Sequence, residues 1–164
     1  MIKEVGGKKE MSLNKIIELI NLYGEKDDFS ERASDKQISK IEQDLDVILP
    51  NSYQWFLKHF GHGGIAGVEI LGTTAMGVYP VINATIYCRR YNLPPSFVLI
   101  ENVDEWVNCL DTARMNNGEC PVVSWDRFGN SRIKYDNFYD FLFDQFRQAV
   151  DNLDEEGLVL KNDR

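Results

Sequence analysis

Residues 37–64 read Gln37-Ile38-Ser39-Lys40-Ile41-Glu42-Gln43-Asp44-Leu45-Asp46-Val47-Ile48-Leu49-Pro50-Asn51-Ser52-Tyr53-Gln54-Trp55-Phe56-Leu57-Lys58-His59-Phe60-Gly61-His62-Gly63-Gly64. This stretch decides the fold. Ile38, Ile41 and Leu45 recur at the spacing of one helical face. Ser34-x-x-Gln37, just upstream, is a capping box that starts this helix. Leu49-Pro50 breaks it and opens another, because proline suits the first helical turn. Tyr53, Phe56, Leu57 and Phe60 form the second stripe, and Gly61 ends it. Two amphipathic helices thus deliver the chain to a glycine-rich corner, each with an apolar face to bury.

Upstream, Leu13, Ile16, Ile17 and Ile20 predict a helix from about Ser12 to Tyr23, stopped by Gly24. A polar link covers residues 25–33. Downstream of Gly64 the pattern changes. Gly67 to Gly72 reads as a short strand. Residues 79–92 fit a helix with Ala84, Tyr87, Cys88 and Tyr91 on its face, ended by Asn92-Leu93-Pro94-Pro95. Strands follow at Phe97–Ile100, Trp106–Asp111, Cys120–Trp125 and Arg132–Tyr135, with turn signals at Asn116-Asn117-Gly118 and Phe128-Gly129-Asn130. A last helix begins near Asn137 and carries Phe138, Phe141, Leu142, Phe146, Ala149 and Val150. Helices, then strands, then a helix predict an α+β fold. Its sheet is mostly antiparallel, with the N-terminal helices and the closing helix packed against one face. Residues 1–11 are expected to be a flexible lead-in, 12–150 a single domain, and 151–164 an acidic tail.

At 164 residues, with 43% apolar, 12% aromatic and five prolines, the chain can bury a sizeable core. It is not of disordered composition. Its 26 acidic and 18 basic residues give a net charge of −8. That disfavours a nucleic-acid binder, whose affinity comes largely from neutralising phosphates. The charge is uneven. Residues 1–98 hold 12 acids against 11 bases, whereas 99–164 hold 14 against 7. Within 99–126, Arg114 is the only base beside Glu101, Asp104, Glu105, Asp111, Glu119 and Asp126. Trp106 and Trp125 are interleaved with these acids, and tryptophan is enriched among interface anchors. No apolar run is long enough to span a membrane, and the N-terminus lacks a signal core. A cytoplasmic location is expected. Cys88, Cys109 and Cys120 suggest neither a disulfide framework nor a zinc site.

The residues offer several chemistries. Gly61-x-Gly63-x-x-Ala66 matches a loose dinucleotide fingerprint, but its loop leaves a helix where the mechanism needs it to enter one. His59 and His62 could ligate a metal at i, i+3, yet Gly61 ends the helix between them, so no metal site is expected. A hydrolytic dyad of Cys120 with either histidine stays open, because spatial neighbours are invisible in a sequence. Carboxylate pairs such as Asp104 with Glu105, or Glu119 with Asp126, lie at strand ends, where solvated turns are the ordinary explanation.

The order and spacing of these motifs resemble the SUKH superfamily, which includes cell-wall-synthesis regulators of the Smi/Knr type and many bacterial immunity proteins. The resemblance rests on Ile38, Ile41, Glu42, Leu45, Leu49, Pro50, Tyr53, Phe56 and the Gly61–Gly64 corner. Gly67–Gly72, Cys109–Thr112, Gly118–Asp126 and Asn137–Leu142 continue it. The bacterial antitoxin branch containing YobK-type proteins looks most similar. The resemblance implies the same α+β fold, no catalysis and no cofactor. It also implies a cytoplasmic protein that binds and neutralises a cognate secreted toxin, often a nuclease. A regulatory scaffold related to cell-wall synthesis is the alternative, and a small hydrolase a further one. Asp104, Glu105, Trp106, Asp111, Glu119, Trp125 and Asp126 are the candidate toxin-binding residues, a carboxylate surface opposing a basic cleft. Exposed sheet edges would also permit a homodimer.

Overall fold

A computed structural model describes the backbone of residues 2–162 and the side chains of residues 11–153. Five helices and four strands follow in the order α1 (Ile2–Tyr23), α2 (Asp35–Leu45), α3 (Asn51–Phe60), α4 (Pro80–Arg89), β1 (Phe97–Asn102), β2 (Val107–Asp111), β3 (Val122–Trp125), β4 (Ser131–Tyr135) and α5 (Phe138–Asn162). The fold is α+β, as expected. Helix α1 reaches back to Ile2, through the segment expected as a lead-in, and α5 continues through the segment expected as a tail. Of the C-terminal acid cluster, the side chains of Asp154, Glu155 and Glu156 lie outside the described residues.

The helix signals translate directly. Ser34 accepts from the Gln37 N–H at 3.2 Å and the Gln37 side chain accepts from the Ser34 N–H at 2.8 Å, closing the capping box. Ile38, Ile41 and Leu45 are buried. Pro50 sits one position earlier than expected, at the N-cap with an extended backbone. Tyr53, Phe56 and Leu57 are fully buried. Gly61 ends α3 with φ +73°. A β-carbon there would run into the carbonyl of Glu31, so the corner requires glycine on both counts.

Two expectations need correction. Gly67–Gly72 is not a strand. It makes a single bridge from Ile70 to Gly63, and Leu71 N–H donates to the Ile100 carbonyl at 2.8 Å. Ala66 and Gly67 both have positive φ, which bends the segment out of any longer ladder. The buried face of α4 is also not the predicted one. Val81, Ile82 and Thr85 turn inward, while Tyr87 and Tyr91 are exposed.

The sheet is an antiparallel meander in the order β1-β2-β3-β4. Pairings of Leu99 with Cys109, Cys109 with Val123 and Val107 with Trp125 place these residues on one face. Val98, Leu110, Val122 and Tyr135 form the other. Helix α4 lies against the first face beside β1, where the Thr85 hydroxyl accepts from Leu99 N–H at 3.0 Å. Helix α5 covers the second, with Phe141 edge-on to Tyr135 at 5.5 Å and Tyr135 donating to Asp144 at 2.5 Å. Helices therefore cover both faces rather than one, and every residue of β2 is buried. Cover on the first face stops short of β4, whose Ile133 is half exposed.

Candidate functional site

The uncovered part of that first face forms a groove of about 980 Å³. Its floor is Leu99, Val107 and Trp125, and one wall is the outward side of α4, with Ala84, Tyr87 and Cys88. Two hairpin tips at the same end of the sheet close it. The β1–β2 tip carries Asp104, Glu105 and Trp106, and the β3–β4 tip carries Asp126, Arg127 and Phe128.

Each tip is held by its own hydrogen bonds. Val103 N–H donates to the Trp106 carbonyl at 3.0 Å, and Asp104 N–H donates to the Asn102 side-chain oxygen at 3.0 Å. That second bond supports Asp104 at φ +67°, a conformation that aspartate tolerates better than most residues. In the other tip the Asp126 carboxylate accepts from Phe128 N–H at 2.9 Å and from the backbone and side chain of Asn130 at 3.1 and 3.2 Å. Desolvation pushes the Asp126 carboxyl up. The donors from Asn130 and Phe128 outweigh it and leave the group below the usual carboxylate range.

The exposed surface is aromatic and acidic. Phe128 is 91% exposed and Trp106 40%. Neither makes a ring contact with another aromatic among the described residues. Leaving a phenylalanine in water forgoes about 1.5–3 kcal/mol of burial, so Phe128 has most to gain from a partner. Among the described residues around the groove, Glu69 joins Asp104, Glu105 and Asp126 against the single cation Arg127. Arg127 is itself engaged, its guanidinium 5.4 Å from the centre of the Tyr91 ring.

The structure brings together Asp104, Glu105, Trp106, Trp125 and Asp126. Trp125 is only 4% exposed and serves as floor. Asp111 and Glu119 are elsewhere. Asp111 is buried, accepts from Ala113 N–H at 3.3 Å and pairs with Arg114 at 3.2 Å. Glu119 is buried against the start of α3, accepting from Ser52 N–H at 3.1 Å and from the Ser52 hydroxyl at 2.5 Å. Sequence reasoning missed Glu69, Tyr87, Arg127 and Phe128. No sequence signal marked them: Tyr87 lies on the helical face expected to be buried, and Glu69, Arg127 and Phe128 lie outside the acid-rich 99–126 segment.

Cys120, His59 and His62 have structural engagements. Burial, with Glu119 and Asp111 nearby, pushes the Cys120 thiol up to about 12. His59 Nδ1–H donates to the Trp55 carbonyl at 2.8 Å. His62 Nδ1 accepts from Gly72 N–H at 3.0 Å, and burial lowers its pKa despite Glu69 at 3.6 Å. The Gly61–Ala66 loop leads out of α3 and reaches no α-helix until Pro80. No helix among the described residues is long and apolar enough to cross a membrane.

A meander sheet with helices on both faces defines an α+β fold, and comparison with known proteins places it further. A family model described as SMI1-KNR4 cell-wall, of the SUKH group, matches residues 13–147. The chain belongs to that family. It is 29% identical over 119 residues to YnaB of Bacillus subtilis (strain 168), described as uncharacterized, covering 71% of this chain and 77% of that protein. Its fold is similar to that of a protein from Pseudomonas syringae pv. tomato, solved by crystallography. The two agree with a TM-score of 0.56 at 16% identity, over 73% of this chain and 88% of the other.

Proposed function

We propose that the chain is a cytoplasmic immunity protein that binds and neutralises a cognate secreted toxin, a nuclease, through the groove between α4 and the two hairpin tips. One observation carries this reading. Exposed Trp106 and Phe128 stand among four carboxylates with a single, already engaged guanidinium. A nuclease must present positive charge to phosphate oxygens. Carboxylates ranked beside aromatic anchors can occupy that charge, speed encounter and fix orientation. Membership of the SUKH family supports binding as the mode of action. A cysteine nucleophile must be a thiolate, and a thiol raised to about 12 is not one at neutral pH, which speaks against Cys120.

The test is co-expression with the C-terminal domain of a secreted protein, if one is encoded beside this chain. Survival with a purifiable complex is expected, and Asp104→Lys with Glu105→Lys should abolish both. Survival undiminished by the double reversal would contradict the groove assignment. The family description favours a second reading, a regulatory scaffold in cell-wall synthesis. A scaffold would be needed in cells deleted for the neighbouring toxin gene, whereas an immunity protein would be dispensable there.

A further inference from the structure

We infer that the groove is a receptor for an arginine side chain of the bound partner, with selection against lysine. This rests on the reading of the groove as the protein-binding surface and names what that surface recognises. Three observations lead to it. First, the Trp106 and Phe128 rings are exposed and carry no aromatic partner among the described residues, so an incoming planar group would find no ring already stacked on them. Second, Asp104 and Glu105 beside them are exposed and form no ion pair among the described residues. Asp126 is different, since its oxygens already serve its own turn. Third, the molecule displays the same mode at the groove's edge, where the Arg127 guanidinium lies over Tyr91.

The chemistry favours guanidinium over ammonium. A guanidinium is flat, weakly hydrated and carries its donors in a fork, so one group can stack on a ring and reach a carboxylate in its plane. An ammonium is a strongly hydrated point charge that gains less from a ring face. The floor of Leu99, Val107 and Trp125 gives the aliphatic stem of the incoming side chain somewhere dry to lie. A volume of about 980 Å³ is ample for more than one such side chain.

The experiment uses the full chain and capped peptides of four arginines, four lysines or four citrullines. Affinity is read by calorimetry at near-physiological salt, and position by the Trp106 indole N–H resonance. The arginine peptide should bind at least about fivefold more tightly than the lysine peptide, and the uncharged citrulline peptide should not bind. Trp106→Leu, Phe128→Ala, and the pair Asp104→Asn with Glu105→Gln should each weaken arginine binding about tenfold. Phe128 is so exposed that its variant should fold normally, and it guards against misfolding of the others. Glu25→Gln with Asp27→Asn, exposed acids in the α1–α2 link, should leave the affinity unchanged. Equal affinity for arginine and lysine, or a loss of affinity in that control as large as in the groove variants, overturns the inference. An unmoved Trp106 resonance overturns it too. Protection against the toxin without groove-dependent peptide binding overturns this inference and leaves the immunity reading standing. Peptide binding through the groove without protection does the reverse.

Discussion

Glu101 shows how a single residue's surroundings separate acids that look alike in the sequence. It lies on β1, 8% exposed, accepting from the Asn108 side chain at 2.8 Å. Burial pushes its carboxyl above the ordinary value of 4.5, and the Asn108 bond pulls back only in part. The folded state thus holds this proton more tightly than the unfolded chain. The stability it contributes is complete below pH 4.5 and is lost as pH rises through the raised folded value. Glu101→Gln keeps an acceptor for Asn108 and removes the buried charge. It should raise the melting temperature at pH 7, with an advantage that fades as the pH falls through the raised folded value and is gone below 4.5. Melting curves across that range check this, and a pH-independent difference would contradict it. Glu101 stood with Asp104 and Glu105 as one acidic run in the sequence. A buried, partnered carboxylate and an exposed one cannot be told apart before the strand's neighbours are known.

Glu119 belongs to the scale of elements, since it ties the β2–β3 connection to α3. Pro50, at the N-cap, has no side-chain oxygen to offer the first turn. The first turn finds its acceptors elsewhere. Asn51 N–H donates to the Gly118 carbonyl at 2.8 Å, and Ser52 is met twice by Glu119. Glu119→Ala should leave the buried Ser52 donors unpaired and cost about 2–3 kcal/mol of stability. Partner affinity should change by no more than about twofold, since the residue lies outside the proposed contact surface. Denaturant unfolding and calorimetry of the complex check the two halves separately. Local signals gave away the helices and hairpins, because a capping box, a helical stripe and Asn-Gly turns act within a few residues. Gly67–Gly72 misleads because Val68, Ile70 and Leu71 have strand composition, while their partners are a glycine corner and one bulged position of β1. Helix α4 misleads because apolar and aromatic residues surround its whole circumference, so periodicity cannot say which side faces the sheet.

Across the whole molecule, the site follows from meander topology. Both hairpin tips lie at one end of the sheet, which joins the 104–106 and 125–128 segments despite their separation in sequence. Asp111 sits at the other end of β2, four residues or about 14 Å from Val107 at the rise of a strand. Charge clustering alone could not see that division. Helix α4 then stops beside β1 and leaves Trp106 and Phe128 facing solvent. The most direct test is the association rate of this chain with the proposed cognate toxin domain, measured by stopped flow against ionic strength. Asp104→Asn with Glu105→Gln should slow association about tenfold at low salt and flatten its salt dependence, while Glu119→Gln should leave both unchanged. An unaltered rate and slope in the Asp104–Glu105 variant would contradict the assignment of the groove as the toxin-facing surface.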